Sequence, residues 1–201
     1  MKKMSIPDKL FLLITGHLAG IQIVNGIDGY PAQVIAYFTV VFGILLLASI
    51  FLILFGFEIL NYSLVVKIFT FLPLIFSAAL VATHYPDLQL PYLAFVLAGL
   101  MIILFSKYFT NKILTTIIMT TVHGIAGIII FILPIWLSLT GAVLPIYALV
   151  GVGGALIGVG GLLLFFLKKS RAILSRNLIY SFLPVLLLLM TIAFMVGLSA
   201  G

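Results

Sequence analysis

Two histidines lie inside long apolar stretches of this chain and are its strongest candidates for chemistry. His17 stands in the sequence GHLAG of the first apolar run, and His123 stands in HGIAG of the fifth. An ionisable side chain at membrane depth is costly, so it marks a candidate functional site. The small residues beside each histidine would let a flat ligand lie close to the helix backbone.

The predicted depths of the two histidines favour a shared haem. His17 follows Lys9 by eight residues, and His123 follows Lys112 by eleven. At a rise of about 1.5 Å per residue, their depths differ by only about 5 Å. Imidazole is a standard axial ligand of haem iron. The sequence therefore predicts that His17 and His123 bind a b-type haem between the first and fifth spans.

The same histidines fit three other interpretations. A quinone could take the place of the haem between the two spans. In a structural role, neutral histidines hydrogen-bond a carbonyl or a hydroxyl of a neighbouring membrane helix, and Thr120 and Thr121 are near His123 in sequence. The third interpretation is a polar path for a small solute, formed by His17, Gln22, Asn25 and His123.

The remaining ionisable residues point less clearly to chemistry. His84 stands three residues before Asp87 in HYPD, and Asp28 lies in another polar segment. Three scattered ligands without a recognised spacing are poor evidence for a metal, so no metal site is predicted. His84 could equally contact a quinone headgroup together with Tyr85. Glu58 has no second acidic residue deeper in a span, so we expect it at the membrane interface rather than in a proton relay.

The composition defines the elements that must position these residues. Of 201 residues, 65% are hydrophobic and 7% are charged, whereas globular domains carry about 25% charged residues. The apolar runs reach the roughly 20 residues that a membrane-spanning helix needs. A membrane β-barrel would instead show alternating segments of about 10 residues. The sequence therefore predicts an all-α, polytopic integral membrane protein with a single domain over residues 1–201.

Polar breaks divide the chain into seven predicted transmembrane helices. Their approximate bounds are residues 10–27, 33–60, 64–83, 91–108, 113–137, 144–167 and 178–198. The second run would be about 42 Å long as a helix, so it should tilt or protrude.

The basic residues predict how these helices are oriented. All ten lysines and arginines fall in segments 1–9, 61–67, 107–112 and 168–177, and none falls in 28–33, 84–91 or 138–143. Positive charges concentrate on the cytoplasmic side of membrane proteins. We therefore expect the N-terminus inside, the C-terminus outside, and the chain in the plasma or inner membrane. The net charge of +6 needs no nucleic-acid partner to explain it.

The sixth span carries a stripe of small residues. Gly151, Gly154, Gly158 and Gly161 recur three or four residues apart. Such a stripe lets a second helix approach closely, either within the chain or in a partner membrane subunit. Bulky residues at Gly154 or Gly158 should therefore be costly, and Gly160, off the stripe, should tolerate them better.

These observations favour a small hydrophobic subunit or accessory protein of a membrane redox or electron-transport system, binding b-type haem or quinone. A small-solute transporter or channel is the first alternative, and a ligand-free scaffold or assembly protein is the second. No nucleophile–base set or carboxylate pair lies in the spans, so we do not expect an enzyme that acts on its own. The absence of cysteine also excludes thiolate chemistry.

Overall fold

A computed structural model describes residues 3–109, 111–168 and 175–199, and the regular structure in these ranges is helical. The seven α-helices are α1 (Ile6–Asn25), α2 (Ala32–Phe55), α3 (Ser63–His84), α4 (Gln89–Phe105), α5 (Lys112–Leu139), α6 (Ala148–Lys168) and α7 (Arg176–Leu198). Helices α2 to α7 each contain or overlap a segment that is long and apolar enough to cross a bilayer. The prediction of an all-helical fold is therefore confirmed for the described residues, and these long apolar helices are consistent with a multi-pass membrane protein. Helix α1 has 20 residues but is less apolar, since it contains Asp8, Lys9, Gln22 and Asn25.

Side-chain caps set the starts of three helices. Before α1, the Ser5 hydroxyl accepts from the Asp8 backbone N–H (3.3 Å), and the Asp8 carboxylate accepts from the Ser5 N–H (2.9 Å). Asn111 and Ser175 cap α5 and α7, each accepting the backbone N–H three residues further along. These bonds satisfy N–H groups that have no partner inside the first helical turn.

The second predicted span does not continue as one α-helix. Helix α2 ends at Phe55, and residues Gly56–Asn61 form a 3-10 segment. Gly56 has a φ of +65°, which glycine adopts without the steric cost that a Cβ would add. The turn carries Phe57 into the core, where its ring stacks on Tyr180 of α7 at 4.7 Å, and leaves Glu58 exposed. The predicted span over 33–60 is therefore an α-helix as far as Phe55 and a 3-10 turn beyond it.

Six of the helices pack in a closed ring. Going round it, the order is α1, α2, α3, α5, α6 and α7, and α7 packs back on α1. Helix α4 packs on α3 and α5. Aromatic rings fill the centre: Phe76 of α3 meets Phe38 of α2 and Phe194 of α7 edge to face, at 5.5 and 4.4 Å, a geometry that aromatic pairs prefer. Because of this order, α1 and α5 lie on opposite sides of the ring.

The contact between α5 and α6 is built around Pro134. Proline has no N–H, so the carbonyl of Ile130, four residues earlier, loses its helical partner. Glycines of α6 cover this turn. A Cβ added to Gly154 would lie 2.9 Å from the Ile130 oxygen, and one added to Gly151 would lie 2.6 Å from the Phe131 oxygen. Only glycine allows the two backbones to approach this closely.

The rest of the predicted glycine stripe is not packed in this way. At Gly158 and Gly161, no described atom lies within 4 Å of an added Cβ, whereas at Gly160 the Leu186 side chain would lie at 3.0 Å. The expectation that Gly158 is crowded and Gly160 is freer was therefore wrong. The close contact with α5 extends only over Gly151 and Gly154, and the remainder of the face is open.

Candidate functional site: a groove between α1 and α2

A groove of about 570 Å³ lies between α1 and α2. Its walls are mainly aliphatic side chains, and its polar groups are His17, Asn25 and Ser49. Binding sites for small molecules have volumes of roughly 300–1,000 Å³ and combine apolar walls with a few polar groups. Leu13 and Val24 on its rim are 61% and 85% exposed, so the groove opens on the outer surface of the ring. In a membrane this surface faces lipid.

His17 is the distinctive polar group of the groove. It lies eleven residues after the start of α1 and eight before its end, close to the middle of a helix about 30 Å long. Its side chain is exposed, and no residue in the described part of the chain makes a hydrogen bond to its ring. Both ring nitrogens are therefore available to a ligand in the groove.

Two glycines and a serine shape the floor beside His17. Gly16 faces α2, where an added Cβ would lie 3.4 Å from the Ser49 Cβ. At Gly20 no described atom lies within 4 Å of an added Cβ, so this position contributes open space. The Ser49 hydroxyl is buried and donates to the Leu45 carbonyl at 2.9 Å, which leaves its oxygen able to accept a hydrogen bond.

His123 lies across the ring from the groove, between α5 and α3. Its Nε2 is 3.2 Å from the Thr70 carbonyl oxygen of α3, and its Nδ1 is 3.1 Å from the Met119 carbonyl oxygen of its own helix. The ring is half-buried. These contacts match the structural interpretation, a bond from histidine to a carbonyl of a neighbouring helix. The partner is a backbone carbonyl rather than Thr120 or Thr121.

The structure does not bring His17 and His123 together. Helix α1 packs on α2 and α7, whereas α5 packs on α3, α4 and α6. Two imidazoles on one iron need ligating nitrogens about 4 Å apart, twice a metal–nitrogen bond of about 2 Å. The expected packing of the first span on the fifth is not observed, so a haem held by both histidines has no geometric support. The proposed solute path is not assembled either, since Gln22 donates to the Gly26 carbonyl (2.7 Å) and His123 lies elsewhere.

A cluster of aromatic polar residues at one end of the ring was not predicted. His84 Nε2 lies 2.8 Å from the Tyr147 hydroxyl, and Tyr147 is completely buried. The Tyr30 hydroxyl is also buried and has no hydrogen bond of normal geometry within the described ranges, and the Tyr30 ring meets Phe38 edge to face at 5.4 Å. Burial raises the pKa of the Tyr30 phenol, and the nearby Tyr147 opposes this rise. The cluster links the α1–α2 loop, the end of α3 and the 3-10 turn Pro145–Tyr147 that precedes α6.

The acidic residues near this end do not form a metal site with His84. No three His, Cys, Asp or Glu side chains in the described part of the chain lie close enough together to hold a metal ion. Asp28 and Asp87 are both exposed. His84 is instead hydrogen-bonded to Tyr147. The sequence did not suggest this pairing, because Tyr147 was expected to lie at the membrane interface.

Comparison with protein-family models, with curated proteins and with solved structures finds no match to this chain. The functional proposal below therefore depends on the residues of this chain alone.

Proposed function

We propose that this protein is a small membrane subunit or accessory protein of a redox system, and that it binds a quinone in the α1–α2 groove. The observation that carries the proposal is His17, an exposed imidazole without a protein partner on the wall of a 570 Å³ groove. A membrane quinone combines an apolar tail with a ring that bears two carbonyl oxygens. The imidazole N–H of His17 can donate to one of these oxygens.

The depth of His17 favours a quinone over a phospholipid. The hydrocarbon core of a bilayer is about 30 Å thick, and His17 is near the middle of its helix. Acyl chains carry no hydrogen-bonding atom at that depth, and the polar atoms of phospholipids stay near the headgroups. A quinone ring dissolved in the hydrocarbon can meet His17 there. The aliphatic walls of the groove then accommodate its tail.

The proposed orientation has seven spans, with the N-terminus inside and the C-terminus outside, in the plasma or inner membrane. Contacts among the loops support it. His84, Tyr30 and Tyr147 meet at one end of the ring, and a bond of 3.0 Å between Gln33 and Gln89 lies there too. The connecting segments at this end carry no lysine or arginine, as the cytoplasmic preference for basic residues requires of an outer face.

The quinone content of the purified protein tests the proposal. The chain is extracted in native-membrane nanodiscs, and quinone is quantified per chain for the native protein, His17→Leu and Gly20→Leu. We expect enrichment of quinone over bulk lipid in the native protein. Loss of one hydrogen bond of about 1 kcal/mol should weaken binding in His17→Leu about fivefold. Leucine at position 20 should fill the groove, because an added Cβ there meets open space.

Gly158→Leu is the matched control, because that glycine is equally open but lies on α6, away from the groove. It should retain quinone at the native level. Equal quinone in all four proteins would contradict the proposed site. Absence of enrichment in the native protein would contradict the ligand class. A Soret band in the same samples that is lost in both His17→Ala and His123→Ala would favour a shared haem instead.

A further inference from the structure

Both ring nitrogens of His123 face backbone carbonyl oxygens. Nδ1 lies 3.1 Å from the Met119 oxygen on α5, and Nε2 lies 3.2 Å from the Thr70 oxygen on α3. A carbonyl oxygen only accepts hydrogen bonds, so each contact requires an N–H on the imidazole. A neutral imidazole has one N–H, and an imidazolium has two. The neutral ring can therefore make one of these bonds but not both.

The α3 side of this contact lies in a weakened helical turn. Pro73 has no N–H, so the carbonyl of Phe69 loses its helical partner, and the turn before the proline is loosened. Within this turn the Thr70 hydroxyl donates to the Lys67 carbonyl at 2.6 Å, which adds a side-chain bond that competes with regular helix bonding. In membrane proteins a neighbouring helix can supply the missing bonds at such a turn. His123 reaches this turn from α5 and contacts the Thr70 carbonyl, next to the Phe69 carbonyl that Pro73 leaves without a helical partner.

We propose that His123 is a protonation-controlled tie between α3 and α5 at the turn before Pro73. The imidazolium donates to Thr70 and Met119 together and holds the two helices at this point. When the ring loses a proton, one of its nitrogens presents a lone pair to a carbonyl oxygen, and that bond is lost. The bond to Met119 lies within α5, so the bond to Thr70 is the one whose loss frees α3. This role is independent of the α1–α2 groove.

Few other ionisable groups face this contact. On α3, Lys67 lies one turn before Thr70, and its ammonium donates to the Leu104 carbonyl of α4 at 3.0 Å. On α4 the titratable side chain is Tyr92, which bonds Ser77 at 2.9 Å. On α6, residues 148–167 contain no titratable side chain. No acidic side chain of these helices can therefore balance the imidazolium, and the two carbonyl oxygens are its described partners.

Two substitutions separate the effect of the His123 hydrogen bonds from the effect of protonating the ring. His123→Gln keeps an N–H donor of similar reach that does not titrate, and His123→Leu keeps the bulk without a donor. Thermal unfolding midpoints in detergent are compared at pH 5 and pH 8. We expect the native midpoint to exceed that of His123→Leu by about 2–4 °C at pH 5, the shift that one membrane hydrogen bond produces in a chain of this size. At pH 8 the native midpoint should exceed that of His123→Leu by less. The difference in midpoint between His123→Gln and His123→Leu should be the same at both pH values.

His17→Gln is the matched control, because it makes the same substitution at an exposed histidine that has no hydrogen bond to the described part of the chain, so this variant should keep the native difference between pH 5 and pH 8. An identical pH response in the native protein, His123→Gln and His123→Leu would overturn the proposal. If His123→Leu does not fold, the comparison of native protein with His123→Gln decides the result in the same way. Ring ¹⁵N shifts give a direct readout: both nitrogens should be protonated at pH 5, and a ring that is neutral at pH 5 would overturn the proposal.

Discussion

At the scale of single residues, hydrogen-bond partners distinguish the three histidines. His123 faces two backbone carbonyls, and His84 bonds a buried phenol. His17 alone of the three has no partner in the described structure and stands on the wall of a groove. A side chain that is already bonded must break that bond before it can serve a ligand, which costs free energy. This difference makes His17 the candidate for ligand binding. The other two histidines instead hydrogen-bond groups on neighbouring parts of the chain.

The bond between His84 and Tyr147 should contribute measurably to stability. Tyr147→Phe removes only the hydroxyl and leaves His84 without its partner, so we expect a loss of about 1 kcal/mol in the free energy of unfolding. Tyr85→Phe is the control, because Tyr85 is 43% exposed and its hydroxyl makes no bond to the cluster. Unfolding in detergent with increasing denaturant measures both. Equal stability of the two variants would mean that the bond contributes nothing.

Sequence reasoning singled out the histidines but did not find the partners of His84 and His123. An ionisable residue within an apolar run is visible in the sequence alone, which is how His17 and His123 were selected. The Thr70 carbonyl is a backbone atom, and its position near His123 depends on how α3 packs on α5. The pairing of His84 with Tyr147 likewise joins residues 63 positions apart. Neither contact follows from local spacing.

At the scale of helices, the two glycines of the GxxxG motif on α6 should respond differently to bulk. At Gly154 an added Cβ would lie 2.6 Å from an Ile130 side-chain atom, whereas at Gly158 it would meet open space. We expect Gly154→Leu to cost about 1–3 kcal/mol through overpacking and Gly158→Leu to cost much less. Detergent stability of the two variants checks this. Comparable losses would show that a helix, from this chain or another, covers Gly158.

Helix positions were predictable because turns and caps leave local signals. The polar and glycine-containing breaks near Asn25, Asn61 and Thr140 locate helix ends to within a few residues. The early end of α2 was missed, since Gly56 inside an apolar run is compatible with a continued helix. The glycine stripe on α6 was predictable as a packing face at Gly151 and Gly154 only, because spacing cannot show how far along a helix its neighbour stays close.

At the scale of the whole molecule, the order of helices around the ring could not be read from the sequence. Lipid tails are as apolar as a protein core, so hydrophobicity does not distinguish the face that packs from the face that meets lipid. Matched depths therefore suggested that the first and fifth spans are neighbours, although α1 and α5 lie on opposite sides of the ring. The long-range packing that decides this leaves no periodic signal.

The orientation of the molecule is testable with single cysteines, since the chain contains none. Asp87→Cys and Tyr62→Cys replace exposed residues at opposite ends of α3. A membrane-impermeant maleimide added to intact cells should label the cysteine at position 87 and should reach position 62 only after permeabilisation. This pattern follows from placing the basic segments in the cytoplasm. The reverse pattern would contradict the proposed orientation.

The most direct test of quinone binding in the α1–α2 groove is photolabelling with a photoactivatable quinone analogue in nanodiscs, followed by peptide mapping. We predict cross-links to residues 12–25 of α1 and 46–53 of α2, reduced by excess unlabelled quinone and reduced in Gly20→Leu. Labelling confined to α3 and α5 around His123, or labelling that excess quinone does not reduce, would contradict the account.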